Sequence, residues 1–275
     1  MRTVAISTAL FDGYPIETAI EQIAASGARS LEPAYIKGYL DFDESAFSAA
    51  NARHVATLIA GARLSVTGVS AHLDLALHNA AEMLRQRIRF AAALGARWLI
   101  TNTGAASSRE RILATIEAVL PDCEAEGVSL ALENPGHGSG DLIGCGADGA
   151  ALAAAIGSPH VRLNYDVGNI FTYNRGERLP EQDITDARDY IAHLHLKDIA
   201  ADGQDWTFAA IGDGVINFEA IWRSVPDEVP VAIELPLRLN RPQRKDPVRG
   251  AQRLPLPILQ LAMRRSLDFV ARMET

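Results

Sequence analysis

Eight short apolar runs recur along the chain, near residues 3–8, 29–33, 64–71, 97–102, 128–133, 161–166, 191–196 and 230–235, and stretches with helical spacing lie between them. Runs that are apolar throughout, rather than alternating, are what strands buried on both faces require. The intervening stretches, such as 16–26, 80–94, 108–126 and 147–156, combine helix-forming residues with a helical repeat. Regular alternation of strand and helix implies parallel pairing through right-handed crossovers. Eight such units in 275 residues match the size of a single α/β barrel of the (β/α)8 type, and 1–275 reads as one such unit. An open doubly wound sheet would call for a glycine-rich phosphate loop after its first strand, and ALFDGYP stands there instead. A last helix over 257–273, with Leu259, Leu261, Ala262, Leu267, Phe269 and Val270 as its apolar side chains, is expected on the barrel exterior.

The last four runs read SLALE, VRLNYD, IAHLH and VAIE, and they end on Glu133, Asp166, His195 and Glu234. A carboxylate buried at a strand end without a partner is unfavourable. A divalent ion shared by three carboxylates and one imidazole removes that penalty, and a closed barrel brings successive strand ends to one point. One acid at a strand end says little, because acids often cap helices. Four in successive units, separated by 33, 29 and 39 residues and with a histidine among them, read as a catalytic metal site. Three oxygens and one imidazole suit Mn²⁺, Mg²⁺ or Co²⁺ better than a structural zinc. The expectation is one divalent ion, Mn²⁺ first, with Mg²⁺, Co²⁺ or Zn²⁺ as alternatives.

A net charge of −8 disfavours general affinity for nucleic acid, whose phosphates select clustered Lys and Arg. Cys123 and Cys145 are too few and too dispersed for a disulfide framework, so a reducing compartment is expected. The opening MRTVAISTALFDGYP reads as a first strand and loop rather than a signal peptide, and no apolar run approaches bilayer length. A cytoplasmic protein acting on a small molecule is expected, away from nucleic acid and membrane; a homo-oligomer is compatible with the sequence.

The segments ALEN, LNYDVGN, AHLHLKD and AIEL resemble the xylose isomerase-like TIM barrels, in particular their sugar phosphate isomerase/epimerase branch, and the resemblance spans essentially the whole chain. It implies that Glu133, Asp166, His195 and Glu234 bind one divalent metal, with His193 in support. It also implies a chemistry in which the ligand glutamates, Glu133 and Glu234, face opposite sides of a substrate carbon. One takes a proton and the other returns it after a metal-stabilised enediolate. The substrate would be a small sugar, polyol ketone or sugar phosphate. The ketose 3-epimerases of this group commonly carry His three residues after the Asp ligand, where this chain has Asn169. They also carry an acid and an Arg in loops where Ser139 and no matched Arg stand.

The same resemblance offers a lyase, similar to inosose or dehydroshikimate dehydratases, in which the enolate expels a neighbouring hydroxyl. An endonuclease IV-like repair enzyme uses three zinc ions and further histidines; Asn169 and Asn102 stand where those would be, and the acidic surface also disfavours it.

Other polar residues fall at the same end of the expected barrel. Glu32 closes the second run and His72 the third, while Asn102 follows the fourth. These three, with Asn169, Lys197 and Arg238, are the expected substrate contacts. The glycine-dense stretch 134–149, which contains His137, reads as a lid. Arg238, Arg241, Arg244, Lys245, Arg249 and Arg253 invert the global charge and suit a phosphate or carboxylate, a subunit contact or a solvated loop. Asn217 is expected to cap a helix.

Overall fold

The computed structural model describes residues 2–274; Met1 and Thr275, the ends of the expected unit, lie outside the described residues. The barrel strands are β1 (Val4–Ser7), β2 (Ser30–Glu32), β3 (Gly68–Ala71), β4 (Trp98–Asn102), β5 (Ser129–Glu133), β6 (Val161–Asp166), β7 (Ile191–Leu196) and β8 (Val231–Ile233). Each lies within one of the apolar runs. Parallel pairing runs from β3 through β8, back to β1 and on to β2.

The second and third runs differ from expectation in being broken. Pro33 has no N–H to give to a ladder and interrupts β2, whose continuation is Ala34–Tyr35. The third run pauses at Thr67, between Ser65–Val66 and β3. The first halves pair with each other, as do the second halves, and this closes the ring.

The helices are α1 (Ile16–Ala25), α2 (Ala49–Gly61), α3 (Ala80–Ala93), α4 (Arg109–Glu126), α5 (Gly146–Ile156), α6 (Val167–Tyr173), α7 (Pro180–Ala187), α8 (Phe218–Ser224) and α9 (Leu256–Met273). One apolar cluster joins strand residues such as Leu31, Leu99, Leu130, Leu163 and Val231 to helix residues such as Ile23, Val55, Ile88, Ile116, Leu152 and Met263. α9 buries Leu259, Met263 and Val270 on this cluster, whereas Leu261, assigned to that face from the sequence, points outward and is exposed. Asn217 caps α8, its Oδ1 accepting the Ala220 N–H at 3.2 Å. No helix among the described residues is long and apolar enough to cross a membrane.

A second sheet was not anticipated from the sequence. Asp198–Asp202, Asp205–Ala209, Leu239–Arg241 and Val248–Arg249 form four antiparallel strands. They follow directly on β7 and β8, so they sit at the carboxyl end of the barrel. Their Ile199, Trp206, Phe208 and Leu239 pack with Ala34, Ile36 and Tyr39 into a separate apolar cluster. This sheet absorbs part of the basic run: Arg249 pairs with Asp12 and Asp41, Arg238 pairs with Asp12, and Arg253 lies over the Tyr14 ring.

Candidate metal centre

Parallel register brings the four strand-end residues together. Asp166 lies opposite His195 across the β6–β7 pair, Glu133 opposite Asn164 across β5–β6, and His195 opposite Ala232 across β7–β8, two residues before Glu234. Side chains two apart on a strand share a face, so Asn164 with Asp166, and His193 with His195, point into the barrel. A register shift after Leu163 is the local irregularity that strands often carry beside a functional site.

Three carboxylates converge on one nitrogen. From His195 Nδ1, Glu133 Oε2 is 3.0 Å away, Glu234 Oε2 3.5 Å and Asp166 Oδ2 3.7 Å. All four residues are fully buried. His195 Nδ1 and Glu234 Oε1 have no hydrogen-bond partner, and Asp166 Oδ2 and Glu234 Oε2 meet only the Lys197 ammonium. Buried polar atoms are normally satisfied, and three buried carboxylates turned toward one imidazole nitrogen that has no hydrogen-bond partner are what a cation with oxygen and imidazole ligands would satisfy. The donor set therefore fits a divalent ion. Glu133, Asp166 and His195 also offer ligand atoms within 4.8 Å of one another, as do Glu32, His193 and His195.

Around this set lies a shell of buried polar groups. Glu32 Oε1 is 2.9 Å from His195 Nε2, on the side of the ring away from the other carboxylates, and its Oε2 is 3.5 Å from His193 Nε2. Gly68 makes room for Glu32, since a Cβ there would stand 3.3 Å from its Oε2 and 3.0 Å from Ile100. Asn164 donates to Glu133 Oε2 and its Oδ1 is 2.8 Å from His193 Nδ1. Asn134 grips the Asp166 backbone, donating to its carbonyl at 2.9 Å and accepting its N–H at 3.0 Å. Asp166 also caps α6, accepting the Asn169 N–H at 2.8 Å.

Lys197 is the strongest local charge. Its Nζ stands 2.6 Å from Asp166 Oδ2 and 2.6 Å from Glu234 Oε2, and it donates to Asn169 Oδ1 at 3.1 Å. Burial alone would discharge this ammonium, but Asp166 and Glu234 outweigh it and hold Lys197 well above its usual value. Burial likewise opposes ionisation of Glu234, yet Lys197 and His195 bring its carboxyl down to about 2. Burial disfavours a charged His195, and Glu32, Glu133 and Glu234 outweigh that and raise it well above the ordinary imidazole value. His193, desolvated and beside His195, is pushed well below.

The remaining sequence candidates fall into distinct places. His72 is half-buried at the end of β3, with Nε2 3.0 Å from Ser70 Oγ and 3.6 Å from Glu133 Oε1. Asn102 lies opposite Glu133 in the β4–β5 register. Asn169 is buried with its amide committed, donating to Glu133 Oε1 at 3.2 Å and the Asn134 carbonyl at 3.1 Å. Glu32 and Lys197 are behind and between the ligand candidates rather than open to a substrate. Arg238 turns away, donating to Asp12 and to the carbonyls of Gly250 and Ala251. Sequence reasoning missed Asn164, Asn134 and Tyr39. The alternation of Asn164 with Asp166 was a signal for the first; nothing local marks Tyr39, whose hydroxyl is raised to about 12 by burial and which faces Lys197, Glu234 and Asp166.

The expected lid 134–149 is tied down. Thr172 and Arg241 both donate to the Gly136 carbonyl, the Gly138 N–H donates to Asp246 at 3.1 Å, and the Asp141 N–H donates to the Tyr173 hydroxyl at 3.0 Å. Asp198, next to Lys197, accepts backbone N–H groups of Ile199, Gly212, Gly214 and Ile216 and so pins the loop leading to α8.

A family model described as xylose isomerase-like TIM barrel matches residues 20–251. No curated protein matches the chain. Among solved structures, D-psicose 3-epimerase from Clostridium cellulolyticum H10, solved with D-tagatose, superposes with a TM-score of 0.75 at 17% identity, covering 99% of each chain. The 3-keto-D-glucoside 4-epimerase of E. coli gives 0.69 at 16% identity, covering 99% of this chain and 100% of that one. A probable 3-DHS dehydratase of Bacillus anthracis gives 0.70 at 13% identity, covering 98% and 99%. At such identities these likenesses concern the fold.

Proposed function

Since the chain belongs to the xylose isomerase-like TIM barrel family, we propose that it is a divalent-metal-dependent epimerase or isomerase of a small sugar, polyol ketone or sugar phosphate. The observation that carries this reading is the convergence of Glu133, Asp166 and Glu234 on His195 Nδ1 within 3.0 to 3.7 Å. Glu133, Asp166, His195 and Glu234 would hold the ion, with Mn²⁺ the first candidate. When bound, such an ion supplies Lewis acidity, offsetting the negative charge that develops on substrate oxygens as a C–H proton leaves.

The chain's own residues do the rest. Glu133, at the end of β5, and Glu234, just past β8, stand three strands apart around the ring and would approach a bound substrate carbon from different sides. One carboxylate takes the proton and the other returns it, which inverts or relocates the stereocentre. Lys197, with His195, outweighs burial at Glu234 and keeps that carboxylate ionised, and so ready to accept. Glu32 orients His195 from behind, as outer carboxylates do for ligand histidines. Asn164 and Asn169 fix the Glu133 carboxylate, and the buried setting excludes water that would otherwise quench the carbanionic intermediate.

The test is proton NMR of candidate ketoses, inososes and their phosphates in D₂O with Mn²⁺-loaded protein. Solvent deuterium entering one carbon, without loss of water, supports the epimerase reading. Loss of water with an enone absorbance supports the dehydratase instead; it shares the first proton transfer, with half-buried His72 beside Glu133 placed to protonate a departing hydroxyl. No exchange with any of these substrates counts against both.

A further inference from the structure

Resting on that reading of Glu133 as ligand and base, we propose that His193 is a positioning residue for the Glu133 carboxylate. It acts through Asn164, whose amide it holds in the one orientation that donates to Glu133. His193 is fully buried, so it does this without touching a substrate.

The three residues form one row across neighbouring strands. Glu133 lies opposite Asn164 in the β5–β6 pair, and Asn164 lies opposite His193 in the β6–β7 pair. The second pairing depends on the register shift after Leu163. Leu163 faces Ile191, while the next residue, Asn164, faces His193, so Ala192 is passed over. An extra residue of this kind re-aims the side chains beyond it. Unshifted pairing would set Ala192, which has no side-chain donor, against Asn164.

The direction of each hydrogen bond follows from which atoms can donate. A ligand carboxylate only accepts, so Asn164 turns its Nδ2 to Glu133 Oε2. Asn164 Oδ1, which also only accepts, is then left facing His193 Nδ1 at 2.8 Å, and that nitrogen must carry the hydrogen. Reversed, the amide would set oxygen against carboxylate oxygen and N–H against N–H.

The other oxygen of Glu133 is held in the same manner. Asn169 donates to Oε1 at 3.2 Å, and its own Oδ1 accepts from the Lys197 ammonium at 3.1 Å. Each asparagine on Glu133 is backed by a donor that fixes which way its amide points.

His193 has no second polar task. The bond to Asn164 is the one hydrogen bond its side chain makes among the described residues. Its Nε2 is buried without a hydrogen-bond partner, 3.5 Å from Glu32 Oε2. A buried polar atom left unpaired is unfavourable. The ring stands edge-on to that of His195, with centroids 5.5 Å apart, and a phenyl ring would make that contact without an orphaned nitrogen. Packing on His195 therefore gives no reason for an imidazole here, whereas the Nδ1 hydrogen does.

The first test is nitrogen NMR of histidine-labelled, metal-free native protein, with the His193 signals assigned by their loss in His193→Asn. A hydrogen on His193 Nδ1 is the expected result, and a bare Nδ1 overturns the proposal. The second test compares two variants. His193→Phe keeps a ring and loses the donor, while His193→Asn loses the ring but sets an amide N–H where Nδ1 stood. Mn²⁺ affinity by isothermal titration calorimetry should fall about tenfold or more in His193→Phe, and His193→Asn should recover most of that loss. Solvent deuterium exchange, with whichever of the ketoses, inososes and phosphates the native protein processes, should follow the same order. A role in packing predicts the reverse, with His193→Phe near native and His193→Asn impaired. That reverse order, or equal Mn²⁺ affinity in the two variants, overturns the proposal. If either variant fails to fold, the native tautomer still decides. Native protein that binds no Mn²⁺ would remove the metal reading, while the Nδ1 hydrogen would still judge the row from His193 to Glu133.

Discussion

Replacing Lys197 with methionine is the most informative single change. The substitution keeps the length of the stem and removes the ammonium that stands 2.6 Å from both Asp166 Oδ2 and Glu234 Oε2. Lys197 is 1% exposed and both acids are fully buried, so water cannot replace the lost charge. Deleting one partner of a buried ion pair destabilises by about 3 to 5 kcal/mol. At roughly 2 to 4 °C per kcal/mol for a chain of this size, melting in EDTA should fall by about 6 to 20 °C. The second half of the prediction has the opposite sign. With the competing cation gone, a divalent ion meets less repulsion and more uncompensated negative charge, so saturating Mn²⁺ should raise the melting temperature of Lys197→Met by more than that of the native protein. Differential scanning fluorimetry of both proteins in EDTA and in Mn²⁺ reads both halves. Melting of the variant within about 2 °C of native in EDTA, or equal Mn²⁺ shifts, would refute the argument that Lys197 and the ion share one set of carboxylates.

Glu32→Gln keeps the shape behind His195 but removes its charge, and Mn²⁺ affinity by calorimetry should drop about 10- to 100-fold; unchanged affinity would mean that Glu32 does not support the ligand. Mn²⁺ affinity should also climb with pH. In the metal-free protein Glu32, Glu133 and Glu234 hold His195 protonated above its ordinary pKa despite burial, and a ligand imidazole must be neutral, so binding displaces that proton. The binding constant should therefore rise by about tenfold per pH unit between pH 6 and 8, and a flat profile would speak against His195 as a ligand. Away from the site, the Arg87 side chain is fully buried, donates to Glu44 at 2.8 and 3.1 Å, and lies 4.1 Å over the Phe47 ring. Arg87→Ala should destabilise by about 3 kcal/mol in urea unfolding, whereas a loss under about 1 kcal/mol would show the pair to be incidental.

The barrel was legible because parallel strands are buried on both faces and so read as unbroken apolar runs. β4 to β7 lie within a residue of the runs that announced them. Pro33 was visible too, but its effect was not: that the halves of β2 and β3 still pair across the break depends on tertiary closure. The antiparallel sheet escaped notice because DWTFA and LNR are short and polar-edged, and the pairing between those two strands, which joins the hairpins on either side, spans more than thirty residues. At the centre, the strand-end positions of Glu133, Asp166, His195 and Glu234 were readable from period and spacing. What those positions do to their neighbours was not. Glu32 ends a strand as the others do, yet its carboxylate lies behind His195, and Lys197, expected as a substrate contact, is among the most deeply buried charges of the described residues and stands between Asp166 and Glu234. Arg238 followed Glu234 closely in sequence and is drawn to Asp12, a residue 226 positions away. Side-chain direction of this kind is decided by partners that arrive from distant strands.

The account rests on one shared cation, and anomalous diffraction from a Mn²⁺-soaked crystal tests it directly. A single strong peak should lie within about 2.0 to 2.4 Å of oxygens from Glu133, Asp166 and Glu234 and of His195 Nδ1, with Lys197 outside that distance. No peak among these four side chains, or a peak bound elsewhere while they keep their present contacts, would contradict the metal centre and the chemistry drawn from it.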